Sequence, residues 1–239
     1  MRNVARFALG LAGLMLGTSP LGAASLRVAP VSIDLPAPAA TSIVRVWNDG
    51  PKPVTIQVRI FRWTQQGGED QYEASDAVVA SPPFAVVPVG GENLIRVVRT
   101  AKAPTTGEES YRLIVDELPL DGGERANGID FAVRHSIPVF FTPTARGEPA
   151  LSWNVERREK GYLVTARNDG PRHARIANLR LSGGDGQVAA QQGGLVGYVL
   201  GHSVARWFVG GKPAAGDTLR IDAETRTGPV HATASLPRP

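Results

Sequence analysis

Asn48-Asp49-Gly50-Pro51-Lys52 follows the run Ile43-Val44-Arg45-Val46-Trp47 and returns 120 positions later. The second copy is Asn168-Asp169-Gly170-Pro171-Arg172, after Tyr162-Leu163-Val164-Thr165-Ala166-Arg167. In each copy a run with strand character enters a turn and another leaves it. Asp-Gly predicts a tight bend, because glycine tolerates positive φ and an aspartate side chain bonds nearby backbone. The same event at the same phase in both halves points to two copies of one β module.

Working outward from these turns, period-2 alternation dominates and long helical periodicity is absent. Leu26 to Leu35 reads as a first strand broken at Pro30. Thr41 to Trp47 and Val54 to Trp63 flank the first turn. Phe84 to Val87, Asn93 to Arg99, Tyr111 to Leu118 and the long stretch Ile129 to Phe141 follow. The second half offers Leu151 to Glu156, Gly161 to Arg167, His173 to Leu181, Gly194 to Tyr198, Ser203 to Val209, Thr218 to Glu224 and Val230 to Leu236. Many short strands spaced by Gly and Pro turns predict an all-β chain of two immunoglobulin-like β-sandwich domains. Pro143 to Pro149 is polar and turn-rich. It places a linker at 145–149, between an N-terminal domain at 25–144 and a C-terminal domain at 150–239.

The N-terminus reads as an export signal. Met1 to Arg6 holds two arginines and no acid, Phe7 to Leu16 is apolar, and Gly22-Ala23-Ala24 precedes Ser25. The apolar run is too short for a stable span, and residues 1–24 are expected to be removed. Without Arg2 and Arg6 the balance is 24 basic to 22 acidic residues. Charges of both signs are interspersed, with no basic stripe or aromatic platform for nucleic acid. The chain has no cysteine. An exported protein of this kind fits a bacterial periplasm and must be held by ordinary cores.

Signatures of catalysis are missing. His135, His173, His202 and His231 share no metal-ligand spacing and read as surface or turn residues. There is no Gly-x-Ser-x-Gly elbow, phosphate loop or cysteine nucleophile. Asp116 and Glu117 are adjacent, so on a strand they point to opposite faces. Gly183-Gly184-Asp185-Gly186 reads as a hairpin turn rather than a calcium loop. The expectation is a protein that is not an enzyme and takes neither cofactor nor metal.

An ordered set of segments then resembles the periplasmic chaperones of chaperone–usher pilus systems. Val44-Arg45-Val46-Trp47-Asn48-Asp49 looks like their second strand and its turn. Ser81-Pro82-Pro83-Phe84, Pro88-Val89-Gly90-Gly91 and Ile95-Arg96-Val97 look like their Pro-Pro bend, turn and Val-Arg strand. Tyr111-Arg112-Leu113 through Glu117-Leu118-Pro119, and Ile137 to Pro143, look like the last two strands of their first domain. The resemblance covers about residues 25 to 145 and is weaker beyond. The phrase Arg134 to Phe140 looks like the divergent branch that includes archaic systems with spore-coat-like subunits.

This resemblance implies two sandwiches set at an angle. It also implies capture of pilus or coat-like subunits by donor-strand complementation and their delivery to an outer-membrane usher. Nucleic acid and stable membrane insertion are not expected. Ile129, Phe131 and Val133 project from one face of the alternating stretch and are the expected donor residues. Relatives hold the subunit's terminal carboxylate with an Arg in the first strand and a Lys in the last. Here Ala29-Pro30-Val31-Ser32-Ile33 lacks an Arg, and Pro138 stands where the Lys is expected. Arg96, Arg112 and Arg134 are the candidate anchors, with Arg96 first because it matches an Arg that the family places beside the cleft. The alternative reading is an exported two-domain adhesive or structural surface component.

Overall fold

The computed structural model describes residues 26–103, 105–118, 132–144 and 147–236. All of its regular elements are strands. Two sheets come from the first half. One has the order β1(Leu26–Ala29), β3(Thr41–Asn48), β8(Glu92–Arg99), β6(Val78–Ser81). The other runs β2(Ile33–Pro36), β10(Arg134–Thr142), β9(Glu109–Leu118), β4(Val54–Gln66), β5(Glu69–Glu73), with β7(Phe84–Val87) also on β4. The second half builds a sheet of β11(Leu151–Arg158), β12(Gly161–Asn168) and β15(Ser203–Gly210). Its partner runs β14(Val188–Val199), β13(Ala174–Gly183), β16(Thr218–Thr225), β17(Gly228–Ser235).

Each pair of sheets closes on alternating apolar residues. Val44 and Val46 of β3, Ile95 and Val97 of β8, Ile56 and Val58 of β4, and Leu113 and Val115 of β9 are buried in one core. Val155, Val164, Ile176, Leu181, Leu219 and Ile221 do the same in the other. Burial of such a side chain contributes roughly 1.5–3 kcal/mol, so these stripes fix which face of each strand points inward.

The repeated turn differs from the expected tight hairpin. Strand β3 lies in one sheet and β4 in the other, and β12 and β13 are divided in the same way. The phrase therefore carries the chain across the sandwich. Neither Gly50 nor Gly170 takes a positive φ; the asparagine organises the crossing. Asn48 is fully buried. Its Nδ2 donates to the Lys52 and Val87 carbonyls at 2.7 and 3.0 Å, and its Oδ1 accepts from Gly50 N–H at 2.9 Å. Asn168, equally buried, donates to the carbonyls of Arg172 and Leu200 and accepts from Gly170 N–H and Ala150 N–H. Gly170 is required by crowding, since a Cβ there would sit 2.2 Å from the Glu148 carbonyl oxygen.

Pro30 likewise marks a change of sheet, separating β1 from β2. The Gly183–Gly186 segment is a hairpin turn, with Gly186 N–H donating to the Gly183 carbonyl and Gln187 N–H to Asp185 Oδ1. Strands β5 and β6 and the first half of β14 lie outside the sequence expectation. Every residue of β5 is exposed, so no alternation announces it.

Candidate functional site

Strand β10 has different neighbours along its two edges. Strand β9 pairs with it from Arg134 to Phe141. On the other side β2 runs parallel to it only from Val139 to Thr142. Among the described residues, Arg134 to Pro138 therefore carry an open edge. Unpaired main-chain groups along such an edge are a template for another strand. The β9 ladder continues beyond the named strand, because Glu117 N–H donates to the Val133 carbonyl at 2.9 Å.

Of the expected donor residues, Val133 is half-buried at this point of the ladder. Ile129 and Phe131 lie outside the described residues. Along β10, Ile137, Val139 and Phe141 belong to the core, while Arg134, Ser136, Pro138 and Phe140 alternate onto the outward face.

The three candidate arginines fall in different places. Arg96 is exposed on β8, opposite Ile43 and Ser81, on the sheet that does not contain β10. Arg134 is exposed on β10, opposite Asp116 on β9, and binds its carboxylate together with Arg59. Burial pushes the Asp116 carboxyl up, but the hydrogen bonds from Arg134 and Arg59 outweigh it and leave the group below its ordinary range. Arg112 lies between Phe61 and Pro138 across the outward face of the β10 sheet. Its guanidinium carbon is 3.8 Å from the Trp63 ring centroid and 5.4 Å from that of Tyr198. The Arg112 Nε is buried without a hydrogen-bond partner. This side chain is held by cation–π contacts and lies beside the Tyr72 hydroxyl.

Arg112 opens onto a cavity of about 450 Å³ between the two halves of the chain. Gln65, Asp70 and Gly68 line one side, and Leu195, Tyr198, Arg206 and Trp207 the other. The Asp70 carboxylate accepts from Tyr72 Oη at 3.0 Å. Burial and the Asp70 charge push the Tyr72 phenol up, against the lowering influence of the neighbouring Arg112 guanidinium.

Among the described residues three kinds of contact join the sandwiches. The middle one is a small apolar cluster of Trp63, Phe140, Tyr198 and Leu200. On one flank His173, expected as a surface or turn residue, lies in the connection before β13 but is buried, with its ring stacked on Phe140 at 3.5 Å. Its Nδ1 is 3.0 Å from Glu108, and its backbone N–H donates to the same carboxylate at 2.7 Å. Arg172 approaches Glu108 at 3.8 Å, and Arg226 binds Asp34 at 2.8 Å. On the other flank the β4–β5 hairpin reaches the second sandwich through Gln65 and Gly68. Sequence periodicity missed Trp63, Gln65, Glu108, His173 and Tyr198, because Trp63, Gln65 and Tyr198 act near strand ends, and Glu108 and His173 stand just before β9 and β13. The available signal was the aromatic Trp63 near the end of an unusually long alternating run. Among the described residues no group of three His, Cys, Asp or Glu side chains is placed to hold a metal ion.

Residues 25–146 match the family described as pili and flagellar-assembly chaperone, PapD N-terminal domain. The chain belongs to the pilus-assembly chaperone family. Its fold is similar to solved structures across both sandwiches. A chain of the CsuC–CsuE chaperone–tip adhesion subunit pre-assembly complex, from the archaic Csu pili of Acinetobacter baumannii, is 24% identical with a TM-score of 0.68; the match covers 90% of this chain and 100% of that one. The Salmonella enterica complex of SafA pilin with the SafB chaperone gives 16% identity and a TM-score of 0.60, over 87% and 95% of the two chains. The Pseudomonas aeruginosa CupB2 chaperone gives 19% and 0.54, over 88% and 100%. No curated protein matches the chain. Chaperones of this family have two immunoglobulin-like domains, and the four sheets here follow that plan. No helix among the described residues is long and apolar enough to cross a membrane.

Proposed function

We propose that this chaperone acts in the periplasm, without catalysis, on pilus or coat-like subunits that lack a strand of their own sandwich. Residues 1–24 are the export signal, and the domains meet at 145–149. The donor is β10 with the segment that precedes it. Ile129, Phe131 and Val133 fill the subunit's apolar groove, and the open edge at Arg134–Pro138 extends the pairing. An incomplete sandwich exposes both a groove and unpaired edges, which invite aggregation; a lent strand covers the two together. Each buried donor side chain contributes roughly 1.5–3 kcal/mol, less the cost of ordering the segment. The single observation that carries this reading is the family match over 25–146, which includes the whole of β10. Delivery to an outer-membrane usher is the step that follows.

For the subunit's terminal carboxylate, the geometry favours Arg112 over Arg96 and Arg134. Arg112 faces the cavity between the domains with Nε unpartnered, Arg134 is bound to Asp116, and Arg96 lies on the other sheet. A guanidinium binds a carboxylate bidentately, a geometry that lysine lacks. The test is periplasmic co-expression with a pilin-like subunit encoded beside the chaperone, followed by co-purification. The wild type is expected to retain the subunit, Arg112→Ala to lose most of it, Arg112→Lys to keep an intermediate amount, and Arg96→Ala to match the wild type. Retention by Arg112→Ala and loss by Arg96→Ala would return the anchor to the other sheet. A wild-type chain that retains no subunit would favour a structural surface component.

A further inference from the structure

Strand β4 runs for 13 residues and outlasts the core it serves. Its last side chain in that core is Ile60, after which Trp63 joins the junction cluster and Gln65 meets the second sandwich. The Gln65 carboxamide donates from Nε2 to the Tyr198 carbonyl at 2.9 Å and accepts at Oε1 from Leu200 N–H at 2.9 Å. One side chain thus presents the donor and acceptor that a neighbouring strand would offer. Its Nε2 also donates to Asp70 Oδ1 at 2.8 Å, which fixes the rotamer. Two residues past the end of β4's pairing, the Gly68 carbonyl accepts from Arg206 N–H at 3.1 Å. Gly68 has φ of +91°, and a Cβ there would lie 2.6 Å from Arg206 Cγ.

All three cross-domain bonds of this hairpin end on main-chain atoms, and all are neutral. The opposite flank is held by carboxylates, arginines and His173. The Tyr198–Leu200 segment is clamped from its own side as well, where Asn168 Nδ2 donates to the Leu200 carbonyl at 3.1 Å. Gln65 therefore joins the first sandwich to the segment that the repeated asparagine holds in the second. The Tyr198 ring on that segment packs against Trp63 and stands beside Arg112.

We propose that Gln65 is a positioning residue that sets the angle between the sandwiches, and so the shape of the cleft around Arg112. Its role in subunit binding rests on the capture reading above. The chain has no cysteine, so Thr41→Cys and Thr233→Cys give two unique, exposed spin-label sites, one per sandwich. The wild type is expected to show a narrow distance distribution, and Gln65→Ala a broad one. In Gln65→Glu an ionised carboxylate cannot donate to Tyr198 and faces Asp70, with Glu69, Arg112 and Arg206 lining the same cavity, whereas a protonated carboxyl restores both bonds. Its distribution should be broad at neutral pH and narrow again, relative to wild type at the same pH, as pH falls through the carboxylate range. Gln65→Ala should show no such recovery. Subunit retention, measured by co-purification at neutral pH, should fall about tenfold in both variants. An unchanged distance distribution in Gln65→Ala overturns the proposal. Broadened distances with full retention refute the role in binding while leaving the chaperone reading intact. Failure of the wild type to retain any subunit removes the chaperone reading, and the distances alone then decide whether Gln65 holds the angle.

Discussion

Asn48 and Asn168 show how a short phrase specifies more than a bend. Each asparagine is fully buried and bonds main-chain groups on either side of a sheet crossing. Replacing either by alanine leaves buried carbonyls without donors, at a cost of about 1–3 kcal/mol. Denaturant unfolding of Asn48→Ala and Asn168→Ala should show losses of that size, whereas Asp49→Ala, which removes an exposed pair with Arg27, should stay within about 0.5 kcal/mol. Asp116 gives a pH signature. Its folded carboxyl titrates below the ordinary range, so its contribution is present above the unfolded value and is lost as pH falls through the folded one. The stability difference between wild type and Asp116→Asn should therefore be greatest near neutrality and shrink on acidification. A difference that is constant or grows in acid would mean that Arg59 and Arg134 do not set this titration. The repeated phrase was legible in the sequence; the part played by its asparagine was not, because the carbonyls it serves at Val87 and Leu200 are more than thirty residues away.

At the scale of the strand, alternation identified most of the strands, because apolar stripes on both sheets must point into a core. It predicted a strand from Ile129 to Phe141, of which β10 covers Arg134–Thr142 among the described residues. It did not reveal which of two sheets a strand joins. Arg96 and Arg112 both look outward from their strands, but only Arg112 shares a sheet with β10. The β4–β5 hairpin was half legible for a similar reason, since β5 is exposed throughout and buries no stripe of its own. A variant series separates the expected donor positions that precede β10 from the core positions on it. Phe131→Asp should abolish subunit retention and leave the melting temperature near that of wild type. Ile137→Asp, which puts a charge where the side chain is 2% exposed, should instead prevent folding. If Phe131→Asp also unfolds the chain, Phe131 belongs to the internal core and the donor assignment fails.

Over the whole molecule, two sandwiches built on one plan are joined by contacts of three chemistries: a main-chain-directed hairpin, an aromatic cluster and an ionic flank. The division into two β modules was readable from the repeated turn. Their junction was not, because it depends on side chains such as Trp63, near the end of β4, and His173, which precedes β13. This arrangement leaves Arg134–Pro138 of β10 paired with β9 on one side and, among the described residues, open on the other, which is where the account places the subunit. Amide hydrogen exchange of the chaperone, alone and in complex with a co-purified subunit, tests that placement directly. The account predicts slower exchange in the complex for peptides spanning residues 129–138, with no change on the outward face of β3 and β8. Protection confined to β3 and β8, with residues 129–138 exchanging as in the free chain, would contradict it.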